Sequence, residues 1–102
     1  MRHSALDQKE IYRGESLGFT FLIDDDLMAG WDGEIDIKAD KDGSSLITPR
    51  AITSTISGRF SGTLTPDETD LAPGFYFLIG KFTNTDREIQ QALRFRINQA
   101  WV

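Results

Sequence analysis

The chain has 102 residues, 39% hydrophobic and 26% charged, which suits one compact domain over 1–102 with a single core and lies far from the balance of a disordered segment. The absence of cysteine excludes disulfides and thiolate metal sites and suits a reducing cytoplasm, while a net charge of −5 with no local Lys/Arg cluster sets nucleic acid aside as a direct ligand. No apolar run approaches the roughly 20 residues of a membrane helix, and the opening "MRHSALDQKE" lacks the apolar middle of a signal peptide, so no membrane is indicated and the expected partner is protein.

Apolar periodicity is close to two along most of the chain, as a strand with one buried face requires. In "SLGFTFLI", Leu17, Phe19, Phe21 and Ile23 alternate with Gly18, Thr20 and Leu22, which predicts a first strand. "DDDLMAG" interrupts with carboxylates and glycine. Trp31, Ile35, Ile37 and Ala39 then share one face of a second strand. "DKDGSS" is turn chemistry, with Asp tolerating tight geometry and Gly supplying positive φ, so the second and third strands are expected to form a hairpin. "LITPRAITSTIS" contains Pro49, which cannot donate to a ladder, and reads as one or two short pieces at an edge.

Three more strands follow. "GRFSGTLT" puts Phe60 and Leu64 on one face, "GFYFLIGKFT" is nearly all apolar, and "EIQQALRFRIN" sets Leu93, Phe95 and Ile97 opposite Arg94 and Arg96. The unbroken run from Phe75 to Ile79 predicts a central strand covered on both sides, and the alternating last strand predicts one wet face. No segment carries helical spacing over the 11 or so residues that would identify a helix.

Between the strands that end at Leu64 and begin at Gly74 lies "LTPDETDLAPG". Thr65 is placed to cap a short helical turn near residues 66–71, Pro66 stands where no N–H is needed, and Glu68 follows Thr65 by three, as in a capping box. Leu71 would pin the turn to the core, and Pro73-Gly74 would end it. This elbow reads as a crossover that changes sheet, its carboxylates occupied by capping.

About seven short strands separated by turns in a chain this long predict an all-β fold, an antiparallel two-sheet β-sandwich of immunoglobulin-like type, with a small barrel as the alternative. The missing Cys pair rules out an antibody-type domain. Residues 1–10 and 98–102 are set apart as terminal arms.

The order of short motifs carries a resemblance. Tyr12-Arg13-Gly14-Glu15, "DLMAGW" from Asp26 to Trp31, and the spacing of Leu64, Thr65, Thr69, Leu71, Gly74 and Tyr76 resemble a pattern of small Ig-like or β-sandwich virion proteins of tailed bacteriophages and prophages, over about residues 12 to 97. The resemblance implies a non-enzymatic structural role at the tail, baseplate or head-tail junction, assembly in a bacterial host cytoplasm and localisation in the virion. Its implied partners are other virion proteins and the chain itself, as a homo-oligomer in a symmetric assembly.

Catalytic chemistry finds little support. His3 is the sole histidine and lies in a polar N-terminal segment, a poor base for any nucleophilic system. Asp24, Asp25 and Asp26, with Asp32 nearby, can be read as oxygen ligands for a hard cation or as a solvated turn, and the turn is the expectation. "DKDG" lacks the acids that would complete a calcium loop. No cofactor is implied.

Trp31 is expected in the core, with a ligand platform as the alternative. Trp101 and Val102, in the terminal "QAWV", are candidate contacts with neighbouring subunits, as is the segment leading to Tyr12, with packing of Trp101 over the chain's own core as the alternative. Tyr12 and Tyr76 complete the interface candidates. A second function class, a carbohydrate-binding or adhesive sandwich module, would use Tyr12, Tyr76 and Trp101 as a stacking platform.

Overall fold

A computed structural model describes residues 4–23, 31–40, 42–52, 54–56, 59–83 and 87–99. Among these residues there are nine strands and no helix: β1 (Ala5–Leu6), β2 (Glu10–Tyr12), β3 (Leu17–Leu22), β4 (Asp32–Lys38), β5 (Arg50–Ile52), β6 (Ser54–Ile56), β7 (Arg59–Leu64), β8 (Gly74–Thr83) and β9 (Glu88–Asn98). They form two sheets, one ordered β1-β3-β7-β6 and the other β2-β9-β8-β4-β5.

Side-chain parity fixes which face of each strand is dry. Leu17, Phe19, Phe21 and Ile23 are all buried, as are Trp31, Ile35 and Ile37, whereas Ala39 at the end of its series is exposed. Phe21 from one sheet and Phe82 from the other meet edge to face at 5.3 Å between centroids, and Phe60 approaches Phe82 at 4.8 Å. The apolar faces of both sheets therefore contribute to one core, in which each fully buried Phe or Leu is worth about 1.5–3 kcal/mol.

Residues 4–10, read from sequence as part of a terminal arm, are divided between the sheets. β1 runs antiparallel to β3, and β2 runs parallel to β9 with Glu10 opposite Arg96 and Tyr12 opposite Asn98. The switch is held by Asp7 N–H donating to Gly18 O at 2.9 Å and Arg96 N–H donating to Lys9 O at 2.9 Å. Strands of two and three residues have too short a period to register in sequence.

β4 and β5 pair antiparallel, as the hairpin expectation requires, and Gly43 N–H donates to Asp40 O at 2.8 Å across the intervening turn. Among the described residues of that turn none has positive φ. It occurs at Gly14, at 83°, in the turn between β2 and β3, and at Gly74, at 155°. The Pro49 segment divides into β5 and β6, edge strands of different sheets.

The elbow does cross between sheets, joining β7 to β8. Both reciprocal capping bonds are present: Thr65 N–H donates to Glu68 Oε1 at 2.9 Å and Glu68 N–H to Thr65 Oγ1 at 3.3 Å. The expected helical turn near 66–71 is corrected. Residues 66–69 form hydrogen-bonded turns, because Leu71 N–H turns back to Thr69 O at 2.8 Å and is lost to helical bonding with Asp67. Leu71 packs partly buried against the core.

Candidate functional site on the outer face of the five-stranded sheet

β8 lies between β4 and β9, and its register makes the outward rows explicit. Phe75 stands opposite Arg96, Phe77 between Lys38 and Arg94, and Ile79 between Asp36 and Ala92. Tyr76, Leu78 and Phe82 point the other way and are buried. The expectation that both faces of this strand are covered is therefore corrected: the second sheet covers one face, and Phe75 on the other is 52% exposed. Parity forces this, since a continuous apolar run in a strand must present half its side chains away from any single covering layer.

Phe75 is flanked by two guanidinium groups. Arg94 Cζ lies 4.2 Å and Arg96 Cζ 5.5 Å from its ring centroid, within the range at which a cation is attracted to an aromatic face. Arg96 also reaches Glu10 at 3.5 Å across the parallel β2-β9 pair. Lys9, Glu10, Phe75, Arg94 and Arg96 line a shallow hollow of about 370 Å³. An adjoining hollow is lined by Tyr12, Phe75, Arg96, Asn98 and Gln99, so Phe75 and Arg96 belong to both.

Of the residues singled out from sequence, Tyr12 is exposed at this surface. Tyr76 is corrected as an interface residue: parity turns it into the core at 8% exposure, its ring packs 6.0 Å from Phe95, and its hydroxyl donates to Ala72 O. Trp101, Val102, His3 and Asp24–Asp26 lie outside the described residues. Asp32 is exposed, and no group of three or more His, Cys, Asp or Glu able to hold a metal occurs among the described residues. Trp31 is in the core, with Arg87 Cζ 5.9 Å from its ring.

Sequence reasoning identified Arg94 and Arg96 as a wet face but missed Phe75. The available signal was its cross-strand position opposite Arg96, which needs the register to be known. A half-exposed aromatic between two arginines is chemistry for contact. It offers apolar area, a ring edge already polarised by cations and donors for a carboxylate, and aromatic and Arg residues of this kind dominate protein interfaces.

The elbow behind this surface is rigidly tied. Arg50 donates to Glu68 through Nε at 2.7 Å and Nη2 at 2.9 Å, and Arg13 Nε donates to Asp70 at 2.7 Å. Burial pushes the Glu68 carboxyl up, but the hydrogen bonds from Arg50 and Thr65 and the Arg50 charge outweigh it, leaving the group below the usual carboxylate range. The hydrogen bond to Glu68 raises Arg50 in turn, against the opposing effect of burial. These carboxylates serve the fold. Comparison with protein-family models returns no match, and neither does a search of curated proteins.

Proposed function

We propose that this chain is an immunoglobulin-like β-sandwich that works without catalysis, as a structural subunit of a tailed-phage particle making protein-protein contacts through the outer face of its five-stranded sheet. The order β1-β3-β7-β6 matches strands A, B, E and D of that architecture, and β9-β8-β4-β5 matches G, F, C and C′, which supports the sandwich reading. The bond from the Tyr76 hydroxyl to Ala72 O, at the start of the F-equivalent strand, is similar to the tyrosine corner of that architecture and also supports the reading. The placement in a virion rests on the sequence motifs, and the contact role rests on one observation: Phe75, half exposed between Arg94 and Arg96.

Particles purified by density gradient from cells expressing a tagged chain provide the test. The chain is expected to co-purify at stoichiometric level, and Phe75→Ser combined with Arg96→Gln, which sets no like charge opposite Glu10, is expected to abolish incorporation while the purified chain still unfolds cooperatively. Absence of the wild type from purified particles, or undiminished incorporation of the double variant, would overturn the proposal. Saturable binding on a glycan array that depends on Tyr12 would favour the carbohydrate-binding alternative instead.

A further inference from the structure

The edges of the two sheets are unequally protected. β1 has two residues, β2 and β5 three each with Pro49 just before β5, and β6 three with a register irregularity against β7. Short, bulged or proline-flanked edges are the usual defences against unwanted strand addition. β9 is different. It spans eleven residues, pairs with β8 from Glu88 to Ile97, and is covered on its other side by β2 only at Arg96 to Asn98.

The direction of its free backbone groups follows from two bonds. Arg96 N–H donates to Lys9 O and Asn98 O accepts from Arg13 N–H, so the backbone groups of Arg96 and Asn98 face the outer edge. Strand alternation gives Glu88, Gln90, Ala92 and Arg94 the same direction, and the β8-β9 register is unbroken over this span. No described residue bonds to the edge-facing backbone groups of these four. Their side chains are exposed on the outer face of the sheet. The segment from Glu88 to Arg94, "EIQQALR", contains neither Lys nor Pro nor Gly to discourage pairing.

We infer that a second copy of this chain adds to the sheet here, by antiparallel pairing of β9 with β9 about a two-fold axis beside Gln91. An alternating row of N–H and C=O groups is a ready template for another strand, and the sequence is complementary to itself in this register. Glu88 falls opposite Arg94 of the second copy and Arg94 opposite its Glu88, while Gln90 and Ala92 face each other. Each of these facing pairs exchanges two backbone hydrogen bonds, and opposite charges on one face stabilise a cross-strand pair.

The length also fits. The open stretch is bounded by the start of β9 at Glu88 and by Lys9 beside Arg96, and the two-fold superposes the same stretch in both copies. Pairing joins two five-stranded sheets into one and places two Phe75-Arg94-Arg96 surfaces on a common face. The inference names one partner within the contact role proposed above and rests on that role, but its test needs only the purified chain.

Sedimentation of the full chain over a range of concentrations is expected to give a monomer-dimer equilibrium. Ala92→Pro removes an edge-facing N–H without costing a bond to β8, and is expected to yield a folded monomer. Glu88→Arg sets like charges opposite each other twice and is expected to weaken dimerisation about tenfold, and Glu88→Arg with Arg94→Glu restores it. A wild type monomeric throughout, a dimer indifferent to Ala92→Pro, or equal behaviour of the single and double charge variants would each overturn it. The particle assay of Phe75 is unaffected by that outcome, so the two proposals fail separately.

Discussion

Arg50 and Glu68 form a two-pronged ion pair that ties edge strand β5 of one sheet to the elbow leaving the other, with Nε to Oε2 at 2.7 Å and Nη2 to Oε1 at 2.9 Å. Arg50 Nη2 also donates to Thr63 O at 2.7 Å, so one guanidinium fixes the end of β7 and the turn after it. The pair is unequally covered, with side-chain exposures of 37% for Arg50 and 13% for Glu68. Arg50→Met leaves the more buried carboxylate without its cation and is expected to cost about 1–2 kcal/mol, allowing for solvent screening. Glu68→Gln keeps an acceptor for Thr65 N–H and is expected to cost less. Urea unfolding of both variants checks the order, and an equal or reversed cost would show that the pair is screened out.

The same pair makes stability depend on pH in one direction. Glu68 is held below its ordinary range in the folded chain, so its contribution is complete above the unfolded carboxylate range and is lost as pH falls through the lower, folded value. Arg50, raised when folded, stays charged throughout that window and adds no slope. The stability gap between wild type and Glu68→Gln should therefore narrow steadily under acid. Denaturant midpoints at several acidic pH values measure it, and a gap independent of pH would contradict the assignment.

Among the described residues Thr69 is the buried polar one, at 0% exposure, and its hydroxyl donates to Glu15 O at 2.7 Å. Gly14 N–H returns a bond to Thr69 O at 3.3 Å, locking the β2-β3 turn to the elbow. Thr69→Val keeps the shape and deletes the donor. It is expected to destabilise by about 0.5–1.5 kcal/mol, because the hydrogen bond to Glu15 O is lost. Thr69→Ser retains the hydroxyl, and the difference between the two variants isolates the bond from the packing; equal losses would assign the effect to the methyl group.

Much of the fold was legible where one face is wet. The alternation around Phe19 and Phe21 and the reciprocal Thr65-Glu68 capping both rest on local chemistry, and each is present in the structure. The Arg50-Glu68 pair was not legible, since it spans 18 residues and joins elements of different sheets. Phe75 and Tyr76 were misassigned for one reason. In an all-apolar run, sequence gives no phase, and only cross-strand register says that Tyr76 turns to Phe95 while Phe75 turns to solvent.

Gly80 tests how closely the two sheets meet. A Cβ added there would stand 2.9 Å from Cε1 and Cζ of Phe21 and 2.9 Å from Cε2 of Phe82, the two rings that meet edge to face across the core. The φ of Gly80 is not positive, so alanine meets no backbone penalty and any cost comes from packing. The obstruction is ring carbon from both sheets, which cannot swing clear as the end of a flexible side chain can. Gly80→Ala is accordingly expected to destabilise by about 1–3 kcal/mol. Phe82→Leu alone should also destabilise, by opening space, yet the double variant should lose less than the sum because each change relieves the other. Thermal unfolding of the four proteins closes the cycle. Strict additivity would mean that the rings move apart freely, and the core would then lack the tight fit that sets the spacing between sheets.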